Sequence, residues 1–168
     1  MMDKFMLFVS TKENFHIPGL ICIAALLVTH KYRGLACLIA VGITIGLTDS
    51  IGHYILKEGI QRLRPCHVLP KDIIDITTSL KYSICSNSFS FPSNHAANTF
   101  AAATLLSLYF RNTVFIFMIF VFALSVCYSR VYLGVHYPTD VLGGMILGSA
   151  MGFLGYQVYS RITTYIKP

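Results

Sequence analysis

Charge is scarce in this chain. Only 12% of its 168 residues are Asp, Glu, Lys or Arg, against 55% hydrophobic residues, and an ordinary soluble domain carries about twice that charged share. A chain of single-domain length has too little interior to hide so much apolar surface from water. The mean hydropathy of +0.64 therefore places much of the exterior against lipid. There is also no run of Lys and Arg to accompany the net charge of +6. That absence argues against nucleic acid as a partner, and the basic residues instead sit at the ends of apolar segments, as membrane topology requires. Met1 to Lys12 lacks a continuous apolar core, so it reads as a short interfacial segment and not as a cleavable signal peptide. No C-x-x-C pair occurs among the five cysteines. Cys22, Cys37 and Cys127 lie in apolar runs and are expected to be small buried packers. Cys66 and Cys85 lie in the one long polar stretch, and can form a disulfide if that stretch faces an oxidising compartment.

Five stretches are apolar enough to cross a bilayer, which takes about 20 helical residues. They run from about residue 17 to 29, 34 to 63, 96 to 110, 114 to 128 and 141 to 159. The fold class is all-α: one integral-membrane helical bundle of about five or six transmembrane helices, a single domain over 1–168, with a polar extracytoplasmic loop from about Pro65 to Asn94. Each crossing reverses the side, so Arg64, His95, Arg130 and Asp140 share one face. Lys31, Arg33, Arg111, Arg161 and Lys167 fall on the other, which the positive-inside rule marks as cytoplasmic. Gly144, Gly148 and Gly152 repeat every four residues on the last helix, with Gly155 near the stripe, and predict close helix packing.

Three polar elements gather at the extracytoplasmic face. Lys57 and Arg64 are seven residues apart, two turns of one predicted helix, and can reach a common anion. Ser93 or Asn94 can cap the third helix, whose free N–H groups offer an anion site beside His95. His136 and Asp140 are four apart, a spacing at which a carboxylate can reach imidazole Nδ1–H and direct the other ring nitrogen as a nucleophile or base. Taken singly, each has a plain structural alternative: a snorkelling Lys and Arg, a helix cap, an interfacial histidine.

Together, Lys57-x6-Arg64-Pro65, Pro92-Ser93-Asn94-His95 and Ser129-Arg130-x5-His136-x3-Asp140 resemble the three signature motifs of the type 2 phosphatidic acid phosphatase superfamily, in order and in membrane context. Asn94 stands where the second motif commonly has Gly. The resemblance implies a cofactor-free, metal-independent lipid phosphatase. His136 would be the nucleophile, Asp140 its partner and His95 the acid and base, with Lys57, Arg64, Arg130, Ser93 and Asn94 binding phosphate. Three flanking cations oppose a metal held by His95, His136 and Asp140. Asp49 and His53 lie on the helix stripe below Lys57 and are expected to bond neighbouring helices or orient Lys57. The segment 66–91, with His67, Lys71, Asp72, Asp75 and Lys81, is expected to sense the headgroup. By this resemblance the protein sits in a bacterial cytoplasmic membrane with its site on the periplasmic face. Its expected substrate is a lipid phosphate or pyrophosphate, with lipid A 1-phosphate and undecaprenyl pyrophosphate favoured. Phosphatidylglycerophosphate hydrolysis, lipid phosphotransfer and non-enzymatic anion transport are the alternatives.

Overall fold

The computed structural model describes residues 2–68 and 85–165. The order is α1 (Met2–Ser10), a 3-10 turn (Lys12–Phe15), α2 (His16–Ser50), a π-helical stretch (Ile51–Lys57) running into one further turn (Glu58–Ile60), and a single turn at Pro65–Val68. Then follow α3 (Asn94–Phe110), α4 (Thr113–Tyr132) and α5 (Pro138–Tyr165). No strand occurs among the described residues.

The first two predicted spans form one unbroken helical run by hydrogen bonding, but the backbone leaves helical geometry at Lys31 (φ 47°, ψ −126°). The chain turns sharply there. A Cβ at Gly34 would stand 2.6 Å from the Leu26 carbonyl oxygen, eight residues back, whereas eight residues of straight helix cover about 12 Å. Counting the halves on either side of Lys31 separately, the described residues hold five apolar helical stretches. Three helical segments are long and apolar enough to cross a membrane: Lys12–Val68, which contains that corner, Thr113–Tyr132 and Pro138–Thr164.

α3 lies at the centre, packed on α2, α4 and most extensively on α5. The buried core is rich in small residues, Ala96, Ala97, Ala101, Ala103 and Ala123 with Cys37 and Cys127, which surround a few large ones such as Phe100 and Leu105. Large apolar side chains such as Ile43, Leu47, Phe117, Ile146, Phe153 and Val158 face outward. This is the distribution that lipid favours, since burying large apolar groups brings no gain there while small ones let backbones approach. Cys37 and Cys127 are buried as expected; Cys22 is exposed, a correction that follows from its place on the outward side of the first half of α2.

The glycine stripe sets the closest approach. A Cβ at Gly144 would lie 2.5 Å from the Ser93 carbonyl oxygen, and Cβ atoms at Gly148 and Gly152 would overlap the carbonyl oxygens of Ala97 and Ala101. Gly155 meets Thr44 of α2 in the same way. α5 is thereby drawn against α3 along its length, and at the upper end the Ser93 N–H donates to the Asp140 carbonyl oxygen at 2.9 Å. At the other end, the His30 and Tyr109 rings lie 5.4 Å apart and Arg111 Nη2 reaches Tyr156 Oη at 3.4 Å. The Lys31 corner, the Arg111 corner and the C-terminal part of α5 therefore share one end of the bundle, as the alternation of spans predicts. Lys167 lies outside the described residues, as do Lys71, Asp72, Asp75 and Lys81.

Because Gly148 has no room for even a methyl group, Gly148→Ala is expected to cost about 1–3 kcal/mol and lower the thermal unfolding midpoint in detergent. Gly42→Ala, where a Cβ meets nothing within 4 Å, should leave the midpoint unchanged or raise it. Equal midpoints for the two variants would contradict the packing assigned to the stripe.

Candidate active site

The site is assembled where α5 begins. Pro138 opens the helix, and Asp140 lies in its first turn, where the helix N-terminus favours a carboxylate. The Asp140 side chain is fully buried. Its Oδ2 accepts from the Tyr137 N–H at 2.9 Å and from Ser90 Oγ at 2.5 Å, and its Oδ1 accepts from Arg62 Nη1 at 2.8 Å. Arg62 also donates to Thr139 Oγ1 at 2.7 Å, and its guanidinium lies 4.0 Å over the Tyr137 ring. It is locked in place from two sides.

His136 sits in the turn between α4 and α5, which reverses through Gly134 at φ 64°. The N–H groups of Val135 and His136 both donate to the Arg130 carbonyl oxygen, at 3.2 and 3.3 Å. The expected pairing of His136 with Asp140 is present but indirect. Nδ1 and Oδ2 are 3.8 Å apart, beyond hydrogen-bond length, and Ser90 Oγ, beside the pair, bridges it at 3.4 Å from Nδ1 and 2.5 Å from Oδ2. On the other side of the ring, Nε2 lies 3.3 Å from Arg64 Nη1. Arginine only donates, so Nε2 must accept and the proton resides on Nδ1. Nδ1–H then points to Ser90, whose own hydroxyl proton goes to Asp140, and the Nε2 lone pair accepts the Arg64 Nη1–H.

Burial pushes the His136 pKa down to about 4, opposed by the bond toward Asp140 and reinforced by the positive charges of Arg64, Arg130 and Lys57. The ring is therefore neutral at physiological pH.

Three cations surround it. Lys57 and Arg64 are each 4% exposed and Arg130 is 5% exposed. The expectation that Lys57 and Arg64 stand two turns apart on one α-helix is not met. The segment Ile51–Lys57 is π-helical, a form that recurs at functional sites, and the helix stops at Gln61 in left-handed conformation, φ 52°. Arg64 lies beyond that end and is held by Ser88, with Nε on its carbonyl oxygen at 2.8 Å and Nη2 on its Oγ at 3.0 Å. Arg130 Nη1 donates to Ser10 Oγ.

At the start of α3, Ser93 occupies the capping position without a side-chain cap bond. Its buried Oγ and the buried Nε of Arg130 have no hydrogen-bond partner among the described residues. Both atoms therefore keep hydrogen-bonding capacity open at this end of the bundle. His95 follows in the first turn, half-buried. The Asn94 side-chain amide donates to Asp49 Oδ1 at 2.9 Å, as does that of Asn98 at 2.9 Å, which leaves the backbone N–H of Asn94 as its group at the helix N-terminus. Asp49 thus bonds a neighbouring helix, as expected. The His53 and Tyr54 rings meet edge to face, with centroids 4.9 Å apart.

Cys66 and Cys85 are disulfide-bonded, with Cα atoms 6.4 Å apart. With His67 they bring three ligand-type atoms within 4.8 Å, but the disulfide consumes both thiolates and leaves no metal site there. The bond closes the segment between Arg64 and Ser88 to Ser90, the residues that clamp the site from above.

Sequence reasoning missed Ser90, Arg62 and Ser10. Ser90 stands directly before Phe91-Pro92-Ser93, and Arg62 two residues before Arg64. Neither position carries a spacing that points to Asp140.

Long apolar helices with their large side chains outward define an integral-membrane helical protein, and buried guanidinium and ammonium groups with the unpartnered Ser93 Oγ and Arg130 Nε gather at one end of it. Residues 33–164 match the PAP2 superfamily, and the chain belongs to it. It is 32% identical over 138 residues to a lipid A 4'-phosphatase of Bacteroides thetaiotaomicron, covering 82% of this chain and 60% of that protein. It is 32% identical over 153 residues to phosphatidylglycerophosphatase B of Bacillus subtilis, covering 84% and 66%. This chain thus spans about two thirds or less of the length of these curated relatives. The crystal structure of a transmembrane PAP2 type phosphatidylglycerolphosphate phosphatase from Bacillus subtilis superposes with a TM-score of 0.67 at 27% identity, covering 99% of this chain and 78% of that one.

Nitrogen-15 NMR of histidine-labelled protein in detergent, with the His136 signal assigned by its loss in His136→Ala, should show a neutral ring protonated on Nδ1 from pH 8 to pH 5. Protonation should begin only toward a midpoint near 4. A midpoint near the ordinary histidine value of about 6.5, or a proton on Nε2, would contradict the arrangement.

Proposed function

We propose that the protein hydrolyses a lipid phosphate or diphosphate through a phosphohistidine intermediate. The observation that carries this is the Nε2 lone pair of a neutral His136 directed at Arg64 among the buried cations Lys57, Arg64 and Arg130. In the first step Nε2 attacks phosphorus in line, the N–P bond forms and the P–O bond to the lipid breaks; His95, which burial and the neighbouring cations hold neutral in the free protein, passes to the departing oxygen the proton it takes up when the phosphate anion arrives among those cations. In the second, His95 takes a proton from water, whose oxygen attacks phosphorus and releases His136. Lys57, Arg64 and Arg130 neutralise the equatorial oxygens with Ser93 Oγ and the N–H groups opening α3. Arg64 already donates toward Nε2, so an incoming phosphoryl oxygen takes over that N–H and frees the lone pair.

Asp140 stabilises the imidazolium that forms on attack, acting through Ser90. Arg62 holds the second carboxylate oxygen, so Asp140 stays ionised and does not swing. Both are positioning residues for His136. The favoured substrates are lipid A 1-phosphate and undecaprenyl pyrophosphate; the relative named lipid A 4'-phosphatase supports a lipid A phosphate, though at the 4' position, and relatives named undecaprenyl-diphosphatase support the second. Phosphatidylglycerophosphate is the alternative, supported by the Bacillus subtilis relative. The disulfide at the mouth supports an oxidising, periplasmic setting for the site in a bacterial cytoplasmic membrane, and the basic corners at the far end fit the cytoplasmic side.

Phosphate release from a panel of lipid phosphates and diphosphates in detergent with excess EDTA is expected for the wild type. It should fall at least about a thousandfold in His136→Ala. EDTA-sensitive release, or release that survives His136→Ala, would sink the mechanism. Ser90→Ala should lower kcat about tenfold or more with KM little changed, as loss of one hydrogen bond to a charged group implies, and Ser90→Thr should recover most of it. Full activity in Ser90→Ala would show that His136 and Asp140 close up directly and that Ser90 only fills space.

A further inference from the structure

The structure has an apolar groove of about 460 Å³ that ends at His95, within the usual range of about 300–1,000 Å³ for small-molecule sites. Its walls come from four parts of the chain, among them Val9, Lys12 and Phe15 of the N-terminal segment, Ile45 of α2, Ala102 of α3 and Val126 of α4. The N-terminal segment is fixed against the bundle. Met6, Val9 and Ser10 are buried, Tyr132 Oη donates to Asp3 Oδ1 at 2.7 Å, the Phe15 and Phe122 rings lie 5.1 Å apart, and Ser10 accepts from Arg130. A larger groove of about 510 Å³ between α2 and α5 touches none of the site residues.

Most polar side chains on the His95 groove are already engaged. Asn98 donates to Asp49, Thr99 to the His95 carbonyl oxygen, and Ser10 is bound by Arg130. Lys12 and the His95 ring have no hydrogen bond or ion pair among the described residues. The groove is thus largely apolar; its uncommitted polar groups among the described residues are the His95 ring, the exposed Lys12 ammonium and the buried Asn98 Oδ1, which as an acceptor offers an anion nothing.

We propose that this groove holds the hydrocarbon chain of the departing lipid and that Lys12 binds an anionic group on the leaving side of the scissile bond, so that the site favours a lipid diphosphate over the monophosphate of the same lipid. The inference rests on the phosphatase reading, in which His95 serves the leaving oxygen. A monophosphate ester departs as an alcohol, which needs only the proton of His95. A diphosphate departs as a phosphate monoester, whose charged oxygens lie one atom beyond the bridging oxygen, on the side where the groove and Lys12 lie. A cation there stabilises the departing charge as it develops. The residue belongs to a segment outside the three motifs, so it can vary with substrate without disturbing His136.

The test uses farnesyl diphosphate and farnesyl phosphate, which share one chain and differ in charge, with the intact protein in detergent. Lys12 is exposed, so its replacement leaves the packing intact. Lys12→Ala should lower kcat/KM about tenfold for the diphosphate and less than about twofold for the monophosphate, as expected for loss of one charge-assisted bond, and Lys12→Arg should restore the difference. An equal loss on both substrates, or none on either, overturns the role of Lys12. Ala102→Leu, which narrows the groove, should raise KM for farnesyl diphosphate but not for the five-carbon dimethylallyl diphosphate; equal changes overturn the groove assignment. If the wild type releases phosphate from neither farnesyl substrate nor any lipid of the wider panel, the phosphatase reading itself fails and this inference with it.

Discussion

Asp140 is the one carboxylate among the described residues that is fully buried, and it sits beside buried cations at the end of a membrane bundle. Its two oxygens collect a backbone N–H, a serine hydroxyl and a guanidinium, while its carbonyl oxygen receives the N–H of Ser93. Four separate stretches of chain thus converge on a single residue: the end of the second span, the segment before α3, the start of α3 and the turn into α5. An unpaired buried charge is costly enough that such a carboxylate persists only with its bonds made. Satisfying Asp140 therefore also orients Ser90, Arg62 and the turn that carries His136.

The balance of charge around this point is uneven by design of the site. Lys57, Arg64 and Arg130 are all buried, and Asp140 is already engaged by Arg62, which leaves a surplus of positive charge in a poorly hydrated place. Desolvated cations repel one another and want an anion. The cost is borne by helix packing elsewhere, above all by the contact of α3 with α5 along the glycine stripe, where each glycine lets a carbonyl oxygen of α3 approach. That same contact sets the height of Ser93 and His95 relative to Asp140. Packing in the middle of the bilayer and geometry at its surface are one problem solved by Gly144, Gly148 and Gly152.

Much of this was legible in the sequence because it follows from period and composition. The apolar stretches, the small-residue stripe, the gathering of Arg64, His95, Arg130 and Asp140 at one end and the bonded Cys66 and Cys85 all rest on spacing or on the side of the membrane. What was not legible depends on departures from regular geometry. The left-handed Gln61 and the π-helical stretch place Arg64 where no helical period would. Ser90 and Arg62 reach Asp140 across 50 and 78 residues of sequence, and a serine or an arginine carries no local sign of such a partner. The N-terminal segment reads as interfacial by composition; only its docking on α4 reveals that Ser10 touches Arg130.

Asn94 shows how a departure from a family pattern is absorbed. Where the related motif commonly has Gly, this chain places a side chain at the crowded junction of α3 with the second span, and the neighbour that would obstruct it is Gly52. A Cβ at Gly52 would lie 3.0 Å from Asn94 Oδ1. The space given up at one position is used at the other. The Asn94 amide then joins Asn98 on Asp49, a carboxylate in the membrane helix one stretch below Lys57. Two amide donors satisfy that charge without neutralising it, so its negative field still acts on Lys57 from below while Arg64 and Arg130 act from above. Gly52, Asn94 and Asp49 are thus best understood as one unit. An asparagine at position 94 without the glycine at 52 would be crowded, and Asp49 without the amides would be a half-buried carboxylate in a membrane helix with both its recorded hydrogen bonds lost.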